Sequence, residues 1–73
     1  MDASMKVGDT VMFNAGECRY ARWFFGRFAI VERYTPRNSN DDSCRVRWLE
    51  PVKYHDGFTT VSDFSANKFQ VCS

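Results

Sequence analysis

The feature that most constrains this chain is a series of short stretches in which apolar and polar residues alternate. In the clearest of them, residues 44–49, Val46 and Trp48 fall on one face while Arg45 and Arg47 fall on the other. Because successive side chains of a β-strand point to opposite faces, this stretch is predicted to be a strand with one buried face. Four other stretches are predicted to be strands: residues 10–13, 26–34, 58–61 and 68–72.

The predicted strands differ in how their faces are expected to be covered. In residues 10–13, Val11 and Phe13 lie on one face, and Thr10 and Met12 lie on the other. In residues 68–72, Phe69 and Val71 lie on the same face. In residues 26–34 apolar side chains occur on both faces, so we expect the middle of this strand to be covered on both sides. The residues on its two faces are Phe28 with Ile30, and Ala29 with Val31.

The segments between the predicted strands contain residues that favour turns. Residues 35–43, with the sequence TPRNSNDDS, are predicted to be a loop. Pro51 is expected to end the strand that precedes it. Residues 53–57 are predicted to form a turn whose Asp-Gly pair permits positive φ. Residues 62–67 are predicted to form a single helical turn.

Five strands about ten residues apart, with no helix longer than one turn, predict an all-β fold. An antiparallel sheet of this size is expected to close into a barrel, because closure removes its exposed edges. The Gly-Asp pair before the first strand and the helical turn before the last make residues 7–71 resemble SH3-like barrels of the KOW and Tudor kind. We therefore expect one five-stranded domain over residues 1–73, with residues 1–5 as a flexible arm.

Size, charge and cysteine content limit the classes of function. A net charge of +1 does not give the long-range field of a strong nucleic-acid binder, although seven of the ten cations are arginine. Three cysteines without C-x-x-C spacing and a single histidine predict no metal site, and no cofactor is predicted. No stretch resembles a membrane span or a signal peptide, so a reduced, cytoplasmic location is expected.

Candidate catalytic side chains are few. His55 lies in a predicted turn, where a solvated imidazole is expected. Cys44 opens a strand and Cys72 lies beside the terminus, so both are interpreted as packing residues or exposed thiols. Because none of these groups has a predicted orienting partner, the chain is predicted not to be an enzyme.

One segment has a composition that a core alone does not require. Residues 18–28, CRYARWFFGRF, contain five aromatic residues and three arginines. The three consecutive rings at 23–25 cannot all face inward on a strand, so at least one is expected to be exposed or to lie in a loop. We predict a partner-binding surface made from this segment and from the outward arginines of residues 44–49. Its residues are Arg19, Tyr20, Arg22, Trp23, Phe24, Arg27, Arg45 and Arg47.

Four interpretations of this segment are open. Its rings fill the core while its arginines cover the rim. It binds nucleic acid, with rings stacked on bases and arginines on phosphates, as KOW and OB-like modules do. It binds an acidic protein surface, since tryptophan, tyrosine and arginine are enriched at interface hot spots. Finally, Tyr20, Trp23, Tyr54 and Asp56 form a cage for methylated lysine. The composition favours the protein interface.

Three stretches together carry a resemblance to a known family. MKVGDTVMF near the start, CRYARW, and VRWLEPVKYHDGFTTVSDFSANKFQV are similar to the small transcription regulators of bacteriophages that infect Xanthomonas. The resemblance implies a protein that binds bacterial RNA polymerase in the cytoplasm of the infected host. It also implies inhibition of initiation by interference with the sigma factor, and antitermination. The expected state is a monomer, and the resemblance assigns no contact residues.

Overall fold

The structure is a computed structural model that describes residues 5–36 and 42–72. These residues form five strands, one turn of α-helix and one 3-10 turn. In chain order the elements are β1 (Thr10–Phe13), α1 (Ala21–Phe24), β2 (Phe28–Thr35), β3 (Ser43–Tyr54), β4 (Gly57–Ser65), the 3-10 turn (Ala66–Lys68) and β5 (Phe69–Cys72).

The five strands form one antiparallel sheet in the order β4-β3-β2-β1-β5. Strands β1 to β4 follow one another as neighbours, and the chain then returns through the 3-10 turn to place β5 beside β1. The predicted all-β class, the five antiparallel strands and the turn before the last strand are confirmed. The two edge strands of the sheet are β4 and β5. Closure of the sheet into a barrel stays a prediction.

One face of the sheet carries the core. In β1 and β3 the alternate residues are buried as predicted, so Phe13 and Val46 are fully enclosed and Trp48 is 3% exposed. In β2 the prediction that the middle of the strand is covered on both sides holds fully for one face only. Ala29 and Val31 are buried, whereas on the other face Ile30 is half-buried and Phe28, the first residue of the strand, is 45% exposed. The other face of the sheet is therefore open to solvent near the start of β2.

Strand β3 is longer than predicted. It continues through Pro51 to Tyr54, and Val52 is buried at 1% exposure. The pairing with β4 shifts register between Arg47 and Val52. Proline has no N–H to donate to a ladder and is tolerated where the ladder is interrupted, which explains why Pro51 does not end the strand.

The connections near β4 also differ from the prediction in detail. The turn between β3 and β4 lies where it was predicted, but its positive φ of 56° is at His55 and not at the Asp-Gly pair. Strand β4 extends to Ser65, so residues 62–65 are strand and the helical turn begins only at Ala66. β5 pairs with β1 over its whole length.

Two predicted irregular segments are described only in part. The predicted arm at residues 1–5 is wrong for Met5, which is 7% exposed and packs in the core, while residues 1–4 lie outside the described residues. In the predicted loop at 35–43, Thr35 ends β2 and Ser43 begins β3, and residues 37–41 lie outside the described residues. In the described part of the chain, no helix has the length and apolar character needed to cross a membrane.

Candidate functional site

The segment of residues 18–28 folds into a single helical turn between β1 and β2. The Ala21 N–H donates to the Cys18 carbonyl at 2.9 Å, and the Phe25 N–H donates to the Ala21 carbonyl at 2.9 Å. Gly26 then adopts φ 82°, and its N–H donates to the Phe13 carbonyl at 2.9 Å. A positive φ favours glycine, so this position lets the chain leave the turn and return to the sheet.

The helical turn separates the three consecutive rings that a strand could not bury together. Phe24 points into the core at 2% exposure, Trp23 is half-buried at the rim, and Phe25 is 52% exposed. Sequence reasoning predicted that at least one of these rings is exposed or in a loop, which is confirmed for Phe25. The helical turn itself was not predicted. The only indication of it in the sequence was that three consecutive rings cannot all face the core from a β-strand.

Phe24 was predicted to contact a partner, and that assignment is wrong. Its ring stacks on Trp48 with centroids 4.8 Å apart and planes 16° apart. It also lies 5.9 Å from Phe13 and 5.4 Å from Phe64. A side chain that is 2% exposed among these rings anchors α1 to the sheet, and only a small part of it is accessible from the surface.

Tyr20 and Trp23 lie at the rim and contact the turn between β3 and β4. The Trp23 ring is 4.9 Å from Tyr54 and 4.9 Å from His55, and Tyr20 is 6.3 Å from Tyr54. The three rings of the hypothetical methyl-lysine cage are therefore neighbours. However, the Arg22 guanidinium carbon lies 5.1 Å from the Trp23 ring centroid, a distance typical of a cation–π contact. The chain's own cation thus disfavours a second cation at this ring.

The predicted arginines fall into two groups. Arg45 donates two hydrogen bonds to the Asp63 carboxylate, from Nε at 2.9 Å and from Nη2 at 3.2 Å. Arg47 donates to Glu32. The hydrogen bond from Arg45 lowers the pKa of Asp63 from its usual value and raises that of Arg45. Both arginines therefore have carboxylate partners within the sheet.

The arginines of the 18–28 segment have no carboxylate partner among the described residues. Arg19, Arg22 and Arg27 are exposed, and Arg19 lies 5.9 Å from the Tyr20 ring centroid. Arg27 lines a separate hollow of about 210 Å³ together with Phe28 and Leu49. We therefore define the α1 surface as Arg19, Tyr20, Arg22 and Trp23, which adjoin one another on α1 and the residues just before it.

A cleft lies beside the α1 surface, between α1 and β4. It has a volume of about 370 Å³, and its aromatic walls are Tyr20, Phe24, Tyr54 and Phe64. The polar part of its lining includes Ser62, whose hydroxyl oxygen accepts a hydrogen bond of 3.0 Å from the Trp48 indole. Sequence reasoning missed this cleft because it ended β4 at residue 61, before three of the residues that line it.

The titratable side chains of the described residues do not gather into a metal or nucleophile site. No group of three or more His, Cys, Asp or Glu in residues 5–36 and 42–72 is placed to hold a metal ion. The three cysteines are free thiols, and burial raises the pKa of Cys44 to about 11. Since the thiolate is the nucleophilic form, Cys44 is a packing residue as predicted.

Comparison with known proteins gives no relative from which a function could be transferred. No protein-family model, no curated protein and no solved structure matches this chain.

Proposed function

We propose that this chain is a non-enzymatic regulator that binds bacterial RNA polymerase through the α1 surface. The proposal depends on the exposure and the contacts of Arg19 and Arg22. Both are exposed, both lie over aromatic rings, and neither pairs with a carboxylate of the described residues. A partner can bind these guanidiniums without first breaking an ion pair with any carboxylate of residues 5–36 and 42–72.

The physical properties of the α1 surface suit a protein interface. Arginine and tryptophan are enriched at interface hot spots, because they bury a large area and still form directed hydrogen bonds. Trp23 is half-buried against Tyr54 and His55, so it is already held in place and loses little conformational freedom when a partner covers it. The two unpaired guanidiniums favour an acidic partner surface.

The choice of RNA polymerase as the partner is supported by the family resemblance of the sequence. On that basis the chain acts as a monomer in the cytoplasm of an infected bacterium, where it inhibits initiation by interfering with the sigma factor and promotes antitermination. No chemistry is needed for either effect. A protein that binds one state of the polymerase more tightly than another shifts the population toward that state.

The proposal is tested by incubating the tagged chain with purified bacterial RNA polymerase, with and without sigma factor. We expect recovery of the polymerase subunits with the tag, and less sigma factor on the polymerase as more of the chain is added. Failure to recover any polymerase subunit at micromolar concentrations would contradict the proposal.

A second candidate, a nucleic-acid-binding module of the KOW or OB-like kind, is favoured by the same stacked arginines. Guanidiniums that lie over half-buried rings, as Arg19 and Arg22 do, can stack on bases or contact phosphates. The net charge of +1 argues against this candidate as the main function. Retention of single-stranded DNA or RNA that weakens steeply with salt, in the absence of polymerase, would favour it.

A further inference from the structure

The free edge of β4 lies beside the α1 surface. Among the described residues β4 pairs only with β3, so its outer edge presents backbone N–H and C=O groups to the surroundings. β4 spans nine residues, Gly57–Ser65, and contains neither lysine nor proline. Natural edge strands are usually kept short, or carry lysine, proline, other charges or a bulge that prevents pairing. In β4 these features are limited to Asp63, which pairs with Arg45, and to the irregular pairing opposite Arg47 and Val52, so residues 61–65 form its regular edge. The other edge strand, β5, has only four residues.

The cleft runs along this free edge. Thr59 and residues 61–64 of β4 line the cleft. Within residues 61–64, where the pairing with β3 is regular, Val61 and Asp63 lie on one face of the strand and Ser62 and Phe64 on the other. Because residues of both faces contribute and the other edge of β4 pairs with β3, the cleft adjoins the free edge. On its far side are the rings of Tyr20, Phe24 and Tyr54.

The groups around the cleft specify what can occupy it. Free backbone groups on a strand edge pair with another extended chain, as in the recognition of peptides by strand addition. The rings of Tyr20, Tyr54 and Phe64 offer edges and faces for one more aromatic side chain. Arg19 lies over the ring of Tyr20, which lines the cleft, and Arg22 lies over the adjoining ring of Trp23, so both cations favour carboxylates near the cleft. Asp63, which also lines the cleft, already accepts two hydrogen bonds from Arg45.

We propose that an extended, acidic segment of a partner protein adds to β4 as a sixth strand and places an aromatic side chain in the cleft. This inference rests on the proposed function, in that the chain binds another protein through the α1 surface. A second copy of this chain is a poorer occupant. Its own β4 has one carboxylate, Asp63, which is held by Arg45 and is not available to Arg19 and Arg22 of a neighbour.

The probe is a peptide of sequence DEVTFTVED with blocked ends, titrated into the full chain labelled with nitrogen-15. We expect saturable binding, nuclear Overhauser contacts between the peptide backbone and residues 57–65, and amide exchange in β4 slowed by about tenfold or more. Amides of β5 are expected to be unchanged. Replacing the central phenylalanine of the peptide by alanine is expected to weaken binding.

Two controls separate strand addition from general adhesion. A peptide of the same sequence with methylated backbone nitrogens cannot donate the ladder hydrogen bonds, so it is expected not to bind. The double variant Arg19→Glu with Arg22→Glu is expected to bind the unmodified peptide at least about fivefold more weakly. The charge reversal Arg27→Glu, at an exposed arginine that lines the separate hollow beside Phe28 and Leu49, is expected to bind it as the wild type does.

Four results would overturn the inference: no saturation at millimolar peptide, contacts confined to residues outside β4, equal binding of the methylated peptide, or self-association of the chain through β4. The assay contains no polymerase. A negative peptide titration would therefore contradict strand addition but would not contradict binding to the polymerase. If the peptide binds and no polymerase is recovered, only the identity of the partner is contradicted.

Discussion

Arginines on α1 and arginines on the sheet are the same residue type in two different environments. On the sheet, Arg45 donates two hydrogen bonds to Asp63, and Arg47 donates to Glu32. Before and within α1, Arg19 and Arg22 lie over rings and pair with no carboxylate of the described chain. Whether an arginine is available to a partner therefore depends on whether a carboxylate or an aromatic ring lies beside it, since the residue type is the same in both regions.

Among the substitutions considered, the largest change in stability is expected at Phe24, the buried residue of the 18–28 segment. Phe24→Ala removes a ring that stacks on Trp48, and we expect a loss of about 3–5 kcal/mol in the free energy of unfolding. A small domain has a total stability of about 5–15 kcal/mol, so a loss of this size removes between about a fifth and all of it. Chemical denaturation followed by circular dichroism measures the change.

The matched control is Phe25→Ala, at the neighbouring ring that is 52% exposed. We expect it to change the stability by less than about 1 kcal/mol. Equal stability of the two variants would contradict the assignment of Phe24 to the core and would return it to the candidate surface.

The next effect concerns binding. Arg22→Ala and Trp23→Ala are each expected to weaken the binding of RNA polymerase by more than about 1 kcal/mol, the usual scale of an interface hot spot. Titration calorimetry or biolayer interferometry with purified polymerase measures the change, and circular dichroism checks that each variant is folded.

Arg47→Ala tests whether the paired arginines of the sheet contribute to polymerase binding. Because Arg47 already pairs with Glu32, we expect this variant to bind polymerase nearly as tightly as the wild type. If it weakened binding more than Arg22→Ala does, the sheet and not the α1 surface would contain the principal contact.

Two cysteines extend the comparison to thiol reactivity. Cys44 on β3 is 3% exposed and its pKa is raised to about 11 by burial, whereas Cys18 at the start of the α1 segment is half-buried. In the folded protein at neutral pH, iodoacetamide is expected to modify Cys18 first and Cys44 only after denaturant is added. Peptide mapping by mass spectrometry gives both rates, and equal rates would contradict the burial of β3.

The smallest effect concerns the Arg45–Asp63 pair. Since Arg45 lowers the pKa of Asp63 in the folded state, the pair contributes stability that is fully present above the unfolded-state pKa and is lost as pH falls through the folded-state value. Asp63→Asn is therefore expected to reduce the acid dependence of the melting temperature slightly. An unchanged acid limb would mean that solvent screens the pair completely.

Much of the sheet could be predicted because alternation is a local property of the sequence. Val46 and Trp48 fall on one face of β3 whatever the strand pairs with, and the prediction of their face was confirmed. The passage of β3 through Pro51 could not be predicted, because the register shift that accommodates the proline depends on how β4 is aligned. The exposure of Phe28 likewise depends on what packs over the sheet.

The candidate site was predictable in composition but not in arrangement. Residues 18–28 were singled out by their arginines and rings, and the structure assembles Arg19, Tyr20, Arg22 and Trp23 into one surface. A helix of one turn has no periodicity to detect, and α1 is fixed by the core contacts of Phe24. Removing Phe24 from the predicted surface therefore required tertiary information.

We expect the rings of the α1 surface and its arginines, which pair with no described carboxylate, to contact the polymerase, and the paired arginines of the sheet to stay outside the interface. Hydrogen–deuterium exchange of the chain, alone and bound to purified RNA polymerase, distinguishes the two groups. Exchange is expected to slow at residues 18–25 and along the adjoining edge of β4 in the complex, with little change at residues 29–31 and 45–47. Slower exchange confined to residues 29–31 and 45–47, or no change anywhere in the chain, would show that the α1 surface is not the interface.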